Sequence, residues 1–89
     1  MNLKDIEIVA GQGDLTGALS QLKVFLESNP SDAAGWYLMG NFLRRMQRWG
    51  EAINAYNRAD ELDPGRGAKK AVESIYEILR FQNTDLMNP

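Results

Sequence analysis

The 89-residue chain contains no cysteine and no histidine. Histidine is the commonest metal ligand and the usual general base near neutral pH, and cysteine thiolates bind structural zinc. Their absence excludes disulfide bonds, thiolate or imidazole metal sites, and catalysis by Ser–His–Asp or Cys–His groups. We therefore expect neither a metal nor a cofactor, and only carboxylate or lysine chemistry is left open as a route to catalysis.

Long apolar runs and a basic excess are also missing. No run approaches the ~20 apolar residues that span a bilayer, and Asp5 and Glu7 interrupt the apolar stretch where a secretory signal would be uncharged. Ten basic residues stand against twelve acidic ones, so the formal net charge is −2 and no basic footprint for nucleic acid is present. We expect one small cytoplasmic domain whose partners are neither membranes nor nucleic acids.

Four segments have the apolar stripe at i, i+3, i+4 and i+7 that is typical of amphipathic helices. Asn29-Pro30 and Asp63-Pro64 end two of them, because a residue before proline avoids helical backbone. Asp14, and either Ser31 or Asp32, suit the capping position before a helix. The predicted helices cover residues 14–28, 32–46, 49–62 and 66–81, and residues 82–89 lack the period and are predicted to form a tail.

The first segment and the glycine-rich stretch after it each fit two structures. In residues 2–10, the β-branched residues favour a strand, whereas Leu3, Ile6 and Val9 fall on one face of a helix. The stretch Gly11–Gly17 has the spacing G-x-G-x-x-x-G, which suits a phosphate-binding loop after a strand and a connecting turn after a helix. We favour the turn over a nucleotide-binding unit, because the rest of the chain lacks the further strands that such a unit needs.

The chain repeats itself at a displacement of 34 residues. At this displacement the prolines that end the helices coincide, and the apolar stripe keeps its character. The paired residues are Leu15 with Trp49, Ala18 with Ala52, Leu19 with Ile53, Leu22 with Tyr56, Glu27 with Glu61, and Pro30 with Pro64.

This period and the residues of the second unit resemble the tetratricopeptide repeat. The family pattern W-x-x-L-G-x-x-Y … A-x-x-x-F … P corresponds here to Trp36, Met39, Gly40, Leu43, Ala52, Tyr56 and Pro64. The match is strong over residues 31–64, good over 13–30 and poor over 2–10, where Asn2 takes the place of the tryptophan.

The resemblance implies an all-α domain of antiparallel helix–turn–helix repeats with five helices, so residues 2–10 should be helical. Repeat one would cover residues 1–30, repeat two 31–64, and a capping helix 66–81. Within repeat two, Gly40 lies in mid-helix at a cost of about 1 kcal/mol relative to alanine. We therefore expect a neighbouring helix to come close to Gly40.

The resemblance also implies a function, because the first helix of each pair in this family lines a concave groove that binds a peptide. The chain would then be a non-catalytic scaffold for protein–protein interaction. The groove residues carried over by position are Leu3, Glu7, Tyr37, Asn41, Arg44 and Arg45. Some relatives clamp a carboxylate with lysine and asparagine side chains, but only Asn41 fits that clamp, and we do not predict it.

Arg44, Arg45 and Arg48 form a basic cluster in sequence. Arginine forks pair with carboxylates, so the cluster could hold an acidic peptide. Cations near the end of a helix also offset its dipole, and we favour this structural interpretation.

The fifth helix has the features of a terminal cap. Lys70, Glu73, Ser74 and Glu77 occupy positions that a following helix would bury, and they are polar. Its apolar stripe points toward the groove in the repeat register. Rotation of the helix, which we favour, a tail that folds back, or a second chain could cover the stripe. Self-association as a homodimer would use Ala71, Ile75, Ile78, Leu86 and Met87.

Overall fold

The computed structural model describes residues 1–87, with side chains described through Gln82, and this part of the chain forms five α-helices and no strand. They are α1 (Leu3–Gly11), α2 (Leu15–Ser28), α3 (Ala33–Arg45), α4 (Trp49–Leu62) and α5 (Ala68–Met87). The all-α prediction is confirmed, as is the helix at residues 2–10. Ile6 and Ala10 are buried on one face of α1, so tertiary packing outweighs the strand preference of its β-branched residues.

Each helix packs mainly against its neighbour in the chain, which gives two helix pairs followed by α5. The core contains residues from all five helices, with Ile6, Leu22, Tyr56 and Ile75 among its fully buried side chains. None of the helices in the described part of the chain is long and apolar enough to cross a membrane.

Side-chain oxygens cap the first three helices. Asn2, Asp14 and Asp32 each accept a hydrogen bond of 2.9 Å from the backbone N–H three residues later. Each bond satisfies an N–H that has no partner inside the helix. The cap predicted at Asp14 is confirmed, and Asp32 rather than Ser31 caps α3. In α4, Arg48 occupies the capping position and makes no such bond.

The two turns inside the helix pairs repeat the same backbone geometry. Gly13 has φ +96° and Gln47, 34 residues later, has φ +59°. Glycine adopts this left-handed conformation at little cost, whereas a residue with a Cβ is strained there. The turn of the second pair therefore carries strain that the turn of the first pair avoids.

Gly40 lies against the ring of Tyr56, which confirms the close approach of a neighbouring helix. A Cβ built at Gly40 would lie 2.6 Å from both Cδ1 and Cε1 of Tyr56. Tyr56 is fully buried, so its ring has little room to move away. The contact fixes the distance between α3 and α4.

The fifth helix is longer than predicted, and part of its apolar stripe is buried. The helix does not end at residue 81 but continues to Met87 through residues predicted to be tail. No proline or glycine interrupts this stretch, and helical backbone needs no apolar period to continue. Ala71 and Ile75 are buried in the chain's own core, so the chain itself covers this part of the stripe.

We predict that Gly40→Ala destabilises the fold by about 1–3 kcal/mol through overpacking against Tyr56. The matched control is Gly50→Ala in the first turn of α4, where an added Cβ has no neighbour within 4 Å. That change should stabilise by up to about 1 kcal/mol through helix propensity. Urea unfolding of both variants measures the contrast, and equal effects would mean that the close contact at Gly40 is absent.

The strained turn gives a second prediction. Gln47→Gly should raise the free energy of unfolding by roughly 0.5–1 kcal/mol, because release of left-handed strain exceeds the entropy cost of glycine. The reciprocal change Gly13→Gln should lower it by a similar amount, since a Cβ at Gly13 meets no neighbour and only the backbone is strained. Thermal and urea unfolding measure the stability of both variants. Changes of the same sign in the two variants would refute the backbone strain assigned to Gln47.

Candidate functional site

Two adjoining cavities of about 400 and 620 Å³ form a groove along α1 and α3. Leu3, Glu7, Tyr37 and Asn41 line the first cavity. Glu7 and Asn41 also line the second, together with Arg44 and Arg45. The structure thus brings all six groove residues named from the sequence to one continuous surface. Their spacing explains this placement, because Leu3 and Glu7 precede Tyr37 and Asn41 by one repeat.

A hydrogen bond from α4 holds one residue of this groove, Asn41. The Tyr56 hydroxyl donates to Oδ1 of Asn41 at 2.5 Å. The Tyr37 ring meets the Tyr56 ring edge to face, with centroids 5.4 Å apart and an angle of 66° between the planes. Burial raises the pKa of the Tyr56 hydroxyl above its usual value, and the Arg44 guanidinium partly opposes that rise. The hydroxyl is therefore a protonated donor at neutral pH.

The three arginines of the predicted basic cluster have separate surroundings. Arg44 is half-buried and donates from Nη2 to the Ser74 hydroxyl at 3.1 Å, which joins α3 to α5. Arg48 binds both carboxylate oxygens of Glu51, at 2.7 and 3.0 Å. The structure therefore corrects the single cluster, because Arg44 and Arg48 point to different helices.

Arg45 is the exposed member of the former cluster. Among the residues whose side chains the structure describes, it has no ion-pair partner. It lies with Arg44 in the last turn of α3, where a positive charge offsets the helix dipole. Its guanidinium therefore has both a structural contribution and free capacity to bind an anion.

Sequence reasoning missed Arg66, which lines the first cavity from the connection between α4 and α5. Its Nη1 lies 3.5 Å from Asp63 Oδ2 in an exposed pair. Helix periodicity does not place loop residues, so no local signal pointed to Arg66. With it, the charged side chains that line the groove are three arginines and Glu7.

The alternative sites named from the sequence lack their structural requirements. Gly11 ends α1 and Gly13 makes the turn before α2, so the phosphate-loop interpretation is wrong, because a helix precedes the glycines where a strand is needed. No group of three or more aspartate or glutamate side chains in the described part of the chain could hold a metal ion.

The residues predicted to mediate self-association differ in how exposed they are. Ala71 and Ile75 are buried within the chain, and Ile78 is half-buried. The side chains of Leu86 and Met87 lie outside the described part of the structure. The apolar stripe of α5 is therefore mainly part of the chain's own core.

Comparison with known proteins also indicates a helical repeat. The sequence profile of the tetratricopeptide repeat matches residues 33–66. The solution NMR structure of protein BF1650 from Bacteroides fragilis is 39% identical to the chain, with a TM-score of 0.82. That match covers 98% of this chain and 89% of the other. No curated protein matches the chain.

Burial of the Tyr56 hydroxyl predicts a loss of stability at alkaline pH. Because the folded-state pKa is raised, folding favours the neutral phenol. That contribution is complete below the unfolded-state value of about 10 and is lost as the pH rises through the folded-state value. Tyr56→Phe should reduce the alkaline loss, measured by urea unfolding at successive pH values. Tyr76→Phe, on the exposed side of α5, is the control and should retain the loss.

Proposed function

The chain belongs to the tetratricopeptide repeat family, and on that premise we propose that it is a non-catalytic interaction module whose groove binds an extended acidic segment of a protein partner. Repeats of this family generally mediate protein–protein interaction. The observation that supports the acidic partner is the charge of the groove. Arg44, Arg45 and Arg66 line it together with a single carboxylate, Glu7, although the whole chain has a net charge of −2.

The shape of the groove suits an extended segment. Its two cavities share Glu7, Leu38 and Asn41 and so form one elongated surface. Leu3 and Tyr37 give the first cavity apolar walls. Arg66 lines the first cavity, and Arg44 and Arg45 line the second. An extended chain could place an apolar side chain between Leu3 and Tyr37 and acidic side chains toward the arginines.

The arginines differ in how freely they can bind. Arg45 is exposed, so its guanidinium can donate two parallel hydrogen bonds to a carboxylate. Arg44 uses one nitrogen for Ser74 and retains other N–H donors. Arg66 is exposed and shares its charge with Asp63. We therefore assign the largest share of acidic binding to Arg45.

The composition of the groove supports a binding role over catalysis. The groove contains one carboxylate and no second acid within its described lining, so a general acid–base pair of carboxylates is not available there. The chain also has no histidine or cysteine to serve as base or nucleophile.

Homodimerisation through α5 is not proposed as a second function. Ala71 and Ile75, two of the residues that it would use, are covered by the chain's own helices. Their burial stabilises the monomer and leaves little apolar surface on this stripe for a second chain.

A fluorescein-labelled hexaglutamate peptide tests the proposal by fluorescence anisotropy at low salt. We expect it to bind, with an affinity that falls as the salt concentration rises, and hexalysine not to bind. Arg45→Glu should weaken binding about fivefold or more, which corresponds to roughly 1 kcal/mol. The matched control is Arg58→Glu, an equal change of charge on α4 outside the groove.

The two variants are compared at about 0.15 M salt, where the Debye length is about 8 Å. There Arg58→Glu should change the affinity less than about twofold, because Arg58 is outside the lining of the groove. Equal weakening by the two variants would show non-specific attraction and contradict the groove assignment. Absence of hexaglutamate binding to the unmodified chain would refute the acidic partner.

A further inference from the structure

The packing of the fold does not account for the exposed ring of Phe81 in α5. Its side chain is 86% exposed, the largest fraction among the large apolar side chains that the structure describes. The helix continues past it to Met87, so Phe81 is not at a helix end. Phenylalanine is a weaker helix former than alanine or leucine, and an exposed ring contributes no burial. The fold therefore gains little from an aromatic residue at this position.

The turns of α5 place Phe81 on the side of the helix that adjoins the groove. Ser74, on this side, accepts a hydrogen bond from Arg44, which lines the second cavity of the groove. Phe81 follows Ser74 by seven residues, which corresponds to two turns and a difference of about 20° around the helix. The buried Ile75 and the exposed Tyr76 lie about 120° and 140° away from Phe81. Phe81 and Ser74 therefore share one side of α5, distinct from the core side and from the side of Tyr76.

The direction of the helices places Phe81 beyond the arginines. Short connections join α3 to α4 and α4 to α5, and each helix packs against the next, so the chain reverses twice and α5 runs in the same direction as α3. Ser74 is level with Arg44, and Phe81 lies about 10.5 Å further along α5. Arg45 is only about 1.5 Å beyond Arg44 in α3. Phe81 therefore lies about 9 Å past Arg45 along the helix direction.

We propose that Phe81 extends the groove and binds an apolar side chain of the partner segment, about three residues from the carboxylate that Arg45 binds. The inference rests on the proposed function and adds a second contact to it. The separation follows from the distance of about 9 Å and the rise of about 3.3 Å per residue in an extended chain. Glu77 is exposed one turn before Phe81, and its charge disfavours a further acidic side chain there.

Isothermal titration calorimetry with unlabelled, capped peptides measures this contact. One peptide is hexaglutamate followed by Ser-Ser-Leu, another is hexaglutamate preceded by Leu-Ser-Ser, and each is compared with the same peptide that has serine in place of leucine. We expect leucine in one of the two orientations to strengthen binding to the unmodified chain about fivefold, because it is partly buried against the ring. Phe81→Ser should abolish that preference and change the affinity for the serine peptides less than about twofold.

Tyr76→Ser is the matched control, because it removes an exposed aromatic ring from another side of α5. This variant should retain the preference for leucine. Equal binding of the leucine and serine peptides in both orientations, or a preference that persists in Phe81→Ser, would overturn the inference and leave the acidic groove intact. Absence of binding by every peptide would refute the acidic groove and, with it, this inference.

Light scattering at the concentration of the titration tests the competing use of the ring as a contact between two copies of the chain. We expect the unmodified chain and Phe81→Ser both to have the mass of one chain. A mass of two chains that falls to one in Phe81→Ser would assign Phe81 to self-association and overturn its place in the groove. Circular dichroism should show equal helix content in the two proteins, since the exposed ring has no burial to lose.

Discussion

The contact between the Tyr56 ring and the backbone of Gly40 sets the geometry on which the rest of the second helix pair depends. Glycine lets the ring lie directly against α3, and the same ring then meets Tyr37 by its edge and Asn41 through its hydroxyl. The packing of the ring and its hydrogen bond to Asn41 therefore depend on each other. A displacement of the ring that the core could tolerate would still move the hydroxyl away from Asn41 Oδ1.

Most of the fold follows from a single regularity of the sequence. The 34-residue displacement identified residues 2–10 as helix where local preferences were divided, because a repeat needs its first helix. The same register brought Leu3, Glu7, Tyr37 and Asn41 to one groove. Apolar spacing is a reliable guide here because buried area dominates the energetics of packing between helices.

The features that the sequence did not predict depend on interactions that have no period. The helix α5 extends to Met87, beyond the predicted end at residue 81. Residues without an apolar stripe can still continue a helix when nothing interrupts it. Arg66 reached the groove from a connection that periodicity does not place. Arg44 and Arg48, four residues apart in the sequence, contact Ser74 and Glu51 respectively, because the partners of long polar side chains are set by rotamers and local geometry.

The order in which the helices pack has a consequence for how the chain folds. Each helix packs mainly against its neighbour in the chain, so most contacts join residues that are close in sequence. Little loop entropy is then lost before a contact forms, and helical arrays of this kind typically fold within microseconds to milliseconds. The domain can therefore grow one helix at a time from either pair.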